Sequence, residues 1–159
     1  MEMNHLTKDN YARGREYVRS GDVFVWTGNR LIQRIIQRRM KGRWYHVGAA
    51  WVANKRVLIL EARLKGGVII SPLSRRLDCY HVPSGVEWTK EKDEFAFSHI
   101  GDPYSITDAL LTGLRLDTFM PGYHCLEFVR DLLNIPDANT LVDVVEWAQG
   151  NYQKMLQVN

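Results

Sequence analysis

The chain has 159 residues, of which 45% are hydrophobic and 25% are charged. This is the composition of one ordinary globular domain, and it excludes a disordered tail, a collagen-like chain and a disulfide scaffold. The 21 basic and 18 acidic residues give a net charge of +3, which permits an anionic partner without requiring one. No stretch approaches the about 18 apolar residues of a membrane span, and the polar N-terminus lacks a signal-peptide core. We therefore expect a cytoplasmic protein whose cysteines are free thiols.

The first third of the chain predicts two helices and one strand. A weak helix is expected over residues 7–19, ended by Gly21, and an apolar strand is expected over residues 22–26. A second helix over residues 30–40 carries one apolar face, formed by Leu31, Ile32, Ile35, Ile36 and Met40. The stretch from residue 30 to 43 contains six basic residues and no acid: Arg30, Arg34, Arg38, Arg39, Lys41 and Arg43.

The rest of the chain predicts a run of strands followed by helices. Strands over 44–53 and 56–62 are joined by Asn54 and Lys55, which suit a hairpin turn, and two more strands are expected over 68–71 and 77–82. Helices are expected over 89–100 and 106–114, from the Pro121–Gly122 turn to Pro136, and from the capping pair Asn139 and Thr140 onward. The predicted class is α+β, with an antiparallel sheet or barrel packed on helices in a single domain over 1–159.

Cys125 is the strongest candidate for a nucleophile. It lies in the first turn of the predicted helix, where unpaired N–H groups and the helix dipole stabilise a thiolate. The same N–H groups can hold the oxyanion of a tetrahedral intermediate. A buried structural cysteine at the start of an apolar helix face is the alternative interpretation.

His46 and Glu61 are candidates for the base and its partner. On its strand face His46 is followed by Gly48 and Ala50, which leave space beside the ring. Glu61 ends an apolar strand, where an unpaired buried carboxylate is costly. If Asn54 and Lys55 form the hairpin turn, Glu61 lies diagonal to His46 on the same face. The alternatives are a hydrogen-bonded core histidine, and a carboxylate that faces solvent or pairs with Arg63.

Other patterns give weaker candidates. Cys79 and His81 share one strand face, but two ligands do not make a metal site and no helix start activates Cys79. The 5 histidines show no HExxH spacing, and no phosphate-binding glycine motif is present, so we expect neither a metal nor an organic cofactor. The basic run lacks interleaved aromatics, and we expect no nucleic-acid partner.

The order of these pieces resembles the circularly permuted papain-like cysteine hydrolases, in particular the YiiX-like branch of the NlpC family. The residues that carry the resemblance are Gly21-Asp22, the Tyr45-His46-Val47-Gly48 strand, Glu61-Ala62, Gly66-Gly67 and Tyr123-His124-Cys125-Leu126-Glu127-Phe128-Val129. They span a core of about 21–147. Leu126 departs from the family pattern, which often has serine there.

The resemblance implies a cysteine hydrolase that cleaves an amide or peptide bond, with peptidoglycan peptides as the expected substrate. It makes Cys125 the nucleophile, His46 the general base and Glu61 the group that orients His46. Tyr104, Tyr123 and Leu126 are the expected oxyanion and substrate-binding residues. The absence of a secretion signal, common in cell-wall members, would suit a phage- or virus-encoded protein delivered with a particle.

Two other functions are open at this stage. One is an acyltransferase or lipid-ester hydrolase of the lecithin:retinol acyltransferase type, whose basic helix would contact a membrane surface. The other is a non-catalytic binding module on the same scaffold. For the basic helix we expect Arg30, Arg34 and Arg38 to form one ridge that rims the cleft and attracts an anionic substrate. A merely solvated helix face is the alternative.

Overall fold

The computed structural model describes residues 3–105 and 123–158. Within these residues it contains a six-stranded sheet and five α-helices, so the predicted α+β class is confirmed. The strands are β1 (Asn4–Leu6), β2 (Val23–Trp26), β3 (His46–Ala53), β4 (Arg56–Arg63), β5 (Gly67–Pro72) and β6 (Cys79–Val82). The helices are α1 (Tyr11–Gly14), α2 (Leu31–Arg39), α3 (Lys90–Ser98), α4 (Cys125–Leu133) and α5 (Leu141–Val158).

The sheet is antiparallel throughout, in the order β1-β6-β2-β3-β4-β5. Its centre is the β3–β4 hairpin, whose turn residues Asn54 and Lys55 both have positive φ, as a type I′ turn requires. Ala53 pairs with Arg56 and Ala49 pairs with Leu60. This is the predicted register, and it decides which residues of the two strands can meet.

Each face of the sheet buries its own apolar cluster, because alternate residues of a strand point to opposite faces. On β2, Val23 and Val25 pack towards α4 and α5, with Phe128 and Leu132 among their neighbours. Phe24 lies in the second cluster, which also contains residues outside the sheet such as Leu73. The sheet is therefore covered on both sides, and α4 is fixed against its centre.

Helix α4 begins where its sequence pattern predicts. His124 is the N-cap, and its Nδ1 accepts a hydrogen bond of 3.3 Å from the backbone N–H of Glu127. The helix ends at Asn134, which adopts a left-handed conformation. Cys125 is thus the first residue of a helix whose apolar face is buried. The Pro121–Gly122 turn and the helix predicted over 106–114 lie outside the described residues.

The N-terminal segment differs from its prediction. Residues 7–19 do not form one helix; they contain the short helix α1 and a 3₁₀ turn over Arg15–Tyr17, preceded by the edge strand β1. The reason is local. Asn10 accepts a hydrogen bond from the backbone N–H of Thr7 and donates to the carbonyl of His5, which stabilises a turn there.

A buried carboxylate, Asp22, joins the start of β2 to the end of β6. It accepts hydrogen bonds from the ring Nε2 of His81 at 2.8 Å, from the backbone N–H of Arg19 at 2.8 Å and from the backbone N–H of Ser84 at 3.0 Å. The Gly21–Asp22 pair of the sequence pattern is therefore structural. It ties strand ends together on the side of the sheet where β6 lies.

No helix in the described part of the chain has both the length and the apolar character needed to cross a membrane.

We expect Gly67→Ala to destabilise the fold strongly. Gly67 has a φ of +68°, and an added Cβ would overlap the backbone carbonyl of Asp102, which accepts a 2.9 Å hydrogen bond from Val68. The free energy of unfolding in urea should fall by at least about 2 kcal/mol. Gly150→Ala is the control, because it lies in α5 with open space around it and should stabilise the protein by about 0.5–1 kcal/mol. Equal effects of the two variants would contradict this account.

Candidate active site

The β3–β4 hairpin brings His46 and Glu61 together. His46 is the first residue of β3, and Glu61 lies near the end of β4, diagonal to it in the observed register. The His46 Nε2 and the Glu61 Oε2 are 2.6 Å apart. Gly48 makes room at this point, since a Cβ there would lie 3.4 Å from the Glu61 Cβ and 2.6 Å from the Ile59 Cγ2.

Glu61 is fully buried and ionised. Burial alone would raise the pKa of its carboxyl, but the hydrogen bond and charge of His46, together with the charge of Arg76, lower it from 4.5 to about 2. The Arg76 Nη2 lies 3.0 Å from the same oxygen that contacts His46. Two cationic donors therefore compensate the cost of a carboxylate without solvent.

Cys125 lies on the other side of the His46 ring. It lies close enough to the imidazole to raise the pKa of His46 by its charge and its hydrogen-bonding capacity. The His46 Nε2 is bound to Glu61, which leaves Nδ1 as the ring nitrogen available to the thiol. Cys125 is only 6% exposed, and it begins α4, so the thiol is held between the imidazole and the helix N-terminus. The three residues predicted from the sequence pattern thus lie together, with His46 hydrogen-bonded to Glu61 and influenced by the neighbouring Cys125.

The environment of His46 favours its protonated form. Burial lowers the pKa of the imidazole, but the hydrogen bonds and charges of Cys125 and Glu61 outweigh burial and raise it from 6.5 to about 9. The ring also packs against Trp26, with the centroids 5.2 Å apart. Glu61 on Nε2 and Trp26 against the ring fix the orientation of the imidazole, so that a proton can be exchanged with the thiol only at Nδ1.

Arg76 is a site residue that the sequence did not reveal. It follows the short 3₁₀ turn Leu73–Arg75 after β5, and nothing in its local pattern distinguishes it from Arg75. The guanidinium carbon lies 4.9 Å from the centre of the Trp26 ring, and the indole N–H donates a 3.0 Å hydrogen bond to the Arg76 carbonyl. Trp26 therefore holds Arg76 at both its backbone and its side chain.

A cavity of about 340 Å³ opens beside His46 and Tyr104. Arg30 lines it, as predicted for the basic ridge, whereas Arg34 and Arg38 are not among its described lining residues. Its walls combine cationic and apolar groups, which suits a substrate with an anionic group near an apolar one. The further lining residues are Ile32, Gln33, Ile36, Tyr45, Ala62, Arg63, Leu64, Lys65 and Arg76.

Of the three residues expected to bind the oxyanion and substrate, Tyr104, Tyr123 and Leu126, only Tyr104 lines the cavity. The Tyr104 side chain lines the cavity near Cys125; burial and the neighbouring Cys125 raise the pKa of its hydroxyl. Tyr123 pairs with Tyr104 through the backbone, and its hydroxyl lies 3.2 Å from the His99 Nε2. The Leu126 side chain is buried in the core, which leaves only its backbone for the site.

The rival pair Cys79 and His81 lies apart from this arrangement. Cys79 is fully buried in the second apolar cluster, and burial raises the pKa of its thiol to about 12. His81 is bound to the structural carboxylate Asp22. The surroundings of both side chains therefore indicate a structural role.

The comparisons with known proteins support a fold and no more. No protein-family profile matches the chain, and no curated protein sequence matches it. A solved structure, that of the metalloprotein YiiX from Escherichia coli O157:H7, matches with a TM-score of 0.54 and 18% sequence identity. The match covers 72% of this chain and 63% of the YiiX chain, so this chain corresponds to under two thirds of YiiX. The chain therefore has a YiiX-like fold.

The description as a metalloprotein applies to YiiX. The described residues of this chain contain no comparable metal site. Within residues 3–105 and 123–158, no group of three or more His, Cys, Asp or Glu side chains is arranged to hold a metal ion. The buried histidines and carboxylates that could act as metal ligands are hydrogen-bonded to other side chains. His46 and Glu61 bind each other and Arg76, and His81 and Asp22 bind each other.

The titration of His46 gives a direct test of the geometry. We expect an NMR titration of its imidazole to give a midpoint near pH 9. Cys125→Ala should lower this midpoint, because it removes one hydrogen bond and one charge that favour the imidazolium. A midpoint near 6.5 in the unmodified protein, or no shift in the variant, would contradict this arrangement.

The same values fix the sign of the pH dependence of stability. Since folding raises the pKa of His46, the contribution of this residue to the free energy of unfolding is complete below pH 6.5. It is lost as the pH rises through about 9. Since folding lowers the pKa of Glu61, its contribution is complete above pH 4.5 and is lost as the pH falls through about 2. Together they stabilise the fold most between pH 4.5 and 6.5.

Proposed function

We propose that the protein is a cysteine hydrolase of amide or peptide bonds, related to the permuted papain-like hydrolases of the NlpC type. The observation that carries the proposal is the buried group Cys125, His46 and Glu61, in which the imidazole binds the carboxylate at 2.6 Å and lies beside the thiol. This is the arrangement of a nucleophile, its base and an orienting acid. The YiiX-like fold is consistent with it.

The reaction begins from the form in which the Cys125 proton resides on His46, whose raised pKa favours the imidazolium. The thiolate attacks the carbonyl carbon, and the imidazolium is stabilised by Glu61 at Nε2. His46 then protonates the leaving amine, which yields the acyl-enzyme. A water molecule, deprotonated by His46, attacks the thioester; the acid leaves and the proton returns to Cys125.

Arg76 and Tyr104 support this sequence in different ways. Arg76 is a permanent cation at 3.0 Å from Glu61, so the carboxylate stays ionised while His46 passes through its neutral form. Tyr104 lines the cavity near Cys125, next to the position where the oxyanion develops. We assign Arg76 a positioning role and Tyr104 a share of the oxyanion hole.

The cavity narrows the substrate class. Arg30, Arg63 and Lys65 place three cationic side chains around it, so a peptide with a carboxylate close to the scissile bond fits the charge. Stem or cross-bridge peptides of peptidoglycan are such substrates. Glu61, not a second histidine, is the group on His46 Nε2, and this favours the hydrolase over an acyltransferase of the lecithin:retinol type.

The first test compares the two cysteines. With iodoacetamide at pH about 7, Cys125 should be alkylated at least about tenfold faster than Cys79, whose thiol is fully buried and has a pKa of about 12. Peptide mass spectrometry reads both rates, and the protein in urea is the control in which both should react. Equal rates in the folded protein would favour a non-catalytic binding module.

The second test separates the orienting role from stability. Glu61→Gln should lower kcat on a stem peptide by about 10²–10⁴, because the imidazolium loses its counter-charge. Asp22→Asn is the matched control, since it alters the other buried histidine–carboxylate pair without touching Cys125 or His46. It should lower the free energy of unfolding but leave kcat of the folded protein unchanged. An undiminished kcat in Glu61→Gln would exclude the proposed role.

A further inference from the structure

Polar side chains attach helix α2 to the protein. The Gln37 side chain donates hydrogen bonds to the carbonyls of Gly28 at 3.1 Å and Arg43 at 2.6 Å, and the Gln33 Oε1 accepts one from the backbone N–H of Arg30 at 3.0 Å. Both glutamines are half-buried, and no residue of the helix is fully buried. The inward side of α2 therefore combines two glutamines with the half-buried Ile36, and Met40 at its end packs against the core.

The other three apolar side chains of α2 face outward. Leu31 is 79% exposed, and Ile32 and Ile35 are exposed as well. Arg34 and Arg38 are interleaved with them along the helix. Between residues 30 and 43 the chain has no acidic side chain. The outer face of α2 thus combines aliphatic groups with a concentrated positive charge.

A second exposed segment of the same character lies across the cavity. In the turn between β4 and β5, Leu64 is 58% exposed and is flanked by Arg63 and Lys65. These three residues and the start of α2 line the same cavity as His46. We call the exposed parts of α2 and this turn the cavity rim. Large exposed aliphatic groups gathered at one opening mark an interaction surface.

We propose that the cavity rim docks the protein on an anionic lipid membrane, with the cavity facing the bilayer. Aliphatic side chains that insert between acyl chains, flanked by guanidinium groups at the level of the phosphates, are what such a surface binds. Each cation contributes through its attraction to the anionic headgroups. The lack of any acidic residue in the 30–43 stretch favours a uniformly anionic surface over a protein, which presents charges of both signs.

Docking would bring the reaction to the membrane surface. It requires only the cavity rim, and it is independent of the proposed hydrolase chemistry. A substrate anchored in the bilayer would then meet His46 in the cavity. The rate on such a substrate should depend on the membrane, whereas the reaction of Cys125 with a small alkylating agent should not.

The test is sedimentation of the full chain with vesicles of phosphatidylcholine alone or with about one third phosphatidylglycerol. We expect binding to the anionic vesicles at least about tenfold tighter than to the neutral ones. Raising the salt from 0.1 M to 1 M should weaken it, because the Debye length falls from about 10 Å to about 3 Å. Failure of the protein to sediment with anionic vesicles overturns the proposal and leaves a protein partner for this surface.

Two variants and a control locate the binding. Leu31→Ser with Ile35→Ser should abolish sedimentation with either vesicle, and Arg34→Gln with Arg38→Gln should remove the preference for anionic lipid. Leu156→Ser is the control, because Leu156 is 55% exposed on α5, away from the cavity rim. This variant should bind vesicles as the unmodified protein does. The iodoacetamide rate of Cys125 should be unchanged in all of them, which verifies folding. Binding that survives both double variants would overturn the proposal.

Discussion

A carboxylate without solvent access, Glu61, constrains the rest of the site. An isolated charge in such a position would be neutralised or would destabilise the fold by several kcal/mol. Glu61 is retained as an anion because His46 and Arg76 both bind its Oε2, at 2.6 and 3.0 Å. The ion pair with Arg76 is permanent, whereas the charge of His46 changes with its protonation. This difference lets the imidazole exchange a proton without leaving an uncompensated buried charge.

The geometry of this network depends on strand register. A slip of one residue between β3 and β4 would turn Glu61 to the opposite face of the sheet, away from His46. The turn at Asn54 and Lys55 prevents the slip, since both residues hold positive φ in a two-residue loop. Gly48 contributes by leaving the space that a side chain beside Ile59 and Glu61 would fill. The active geometry is therefore a property of the hairpin more than of any single contact.

This explains which features the sequence could predict. The hairpin, its register and the start of α4 follow from local signals, namely a turn pair, alternation and a helical period, so the meeting of His46 and Glu61 could be inferred. Arg76 could not, because its place depends on the ring of Trp26, which is distant in sequence. The exposure of the apolar residues of α2 could not be predicted either. Periodicity shows which residues share a helix face but not whether that face points to the core or to solvent. The edge strand β1 depends on pairing with β6.

The candidate active site and helix α2 are held in place by different interactions. The group of Cys125, His46 and Glu61 is supported by the sheet and by α4, whose apolar face is buried in the core. Helix α2 is attached by the hydrogen bonds of Gln37 to loop carbonyls, and Leu31, Ile32 and Ile35 on its outer face are exposed. Substitutions on the outer face of α2 therefore remove little buried area and should change the free energy of unfolding by only about 0.5 kcal/mol or less. The rim can accordingly vary to suit a membrane or another surface while the strand register and the buried charges, which set the chemistry, stay unchanged.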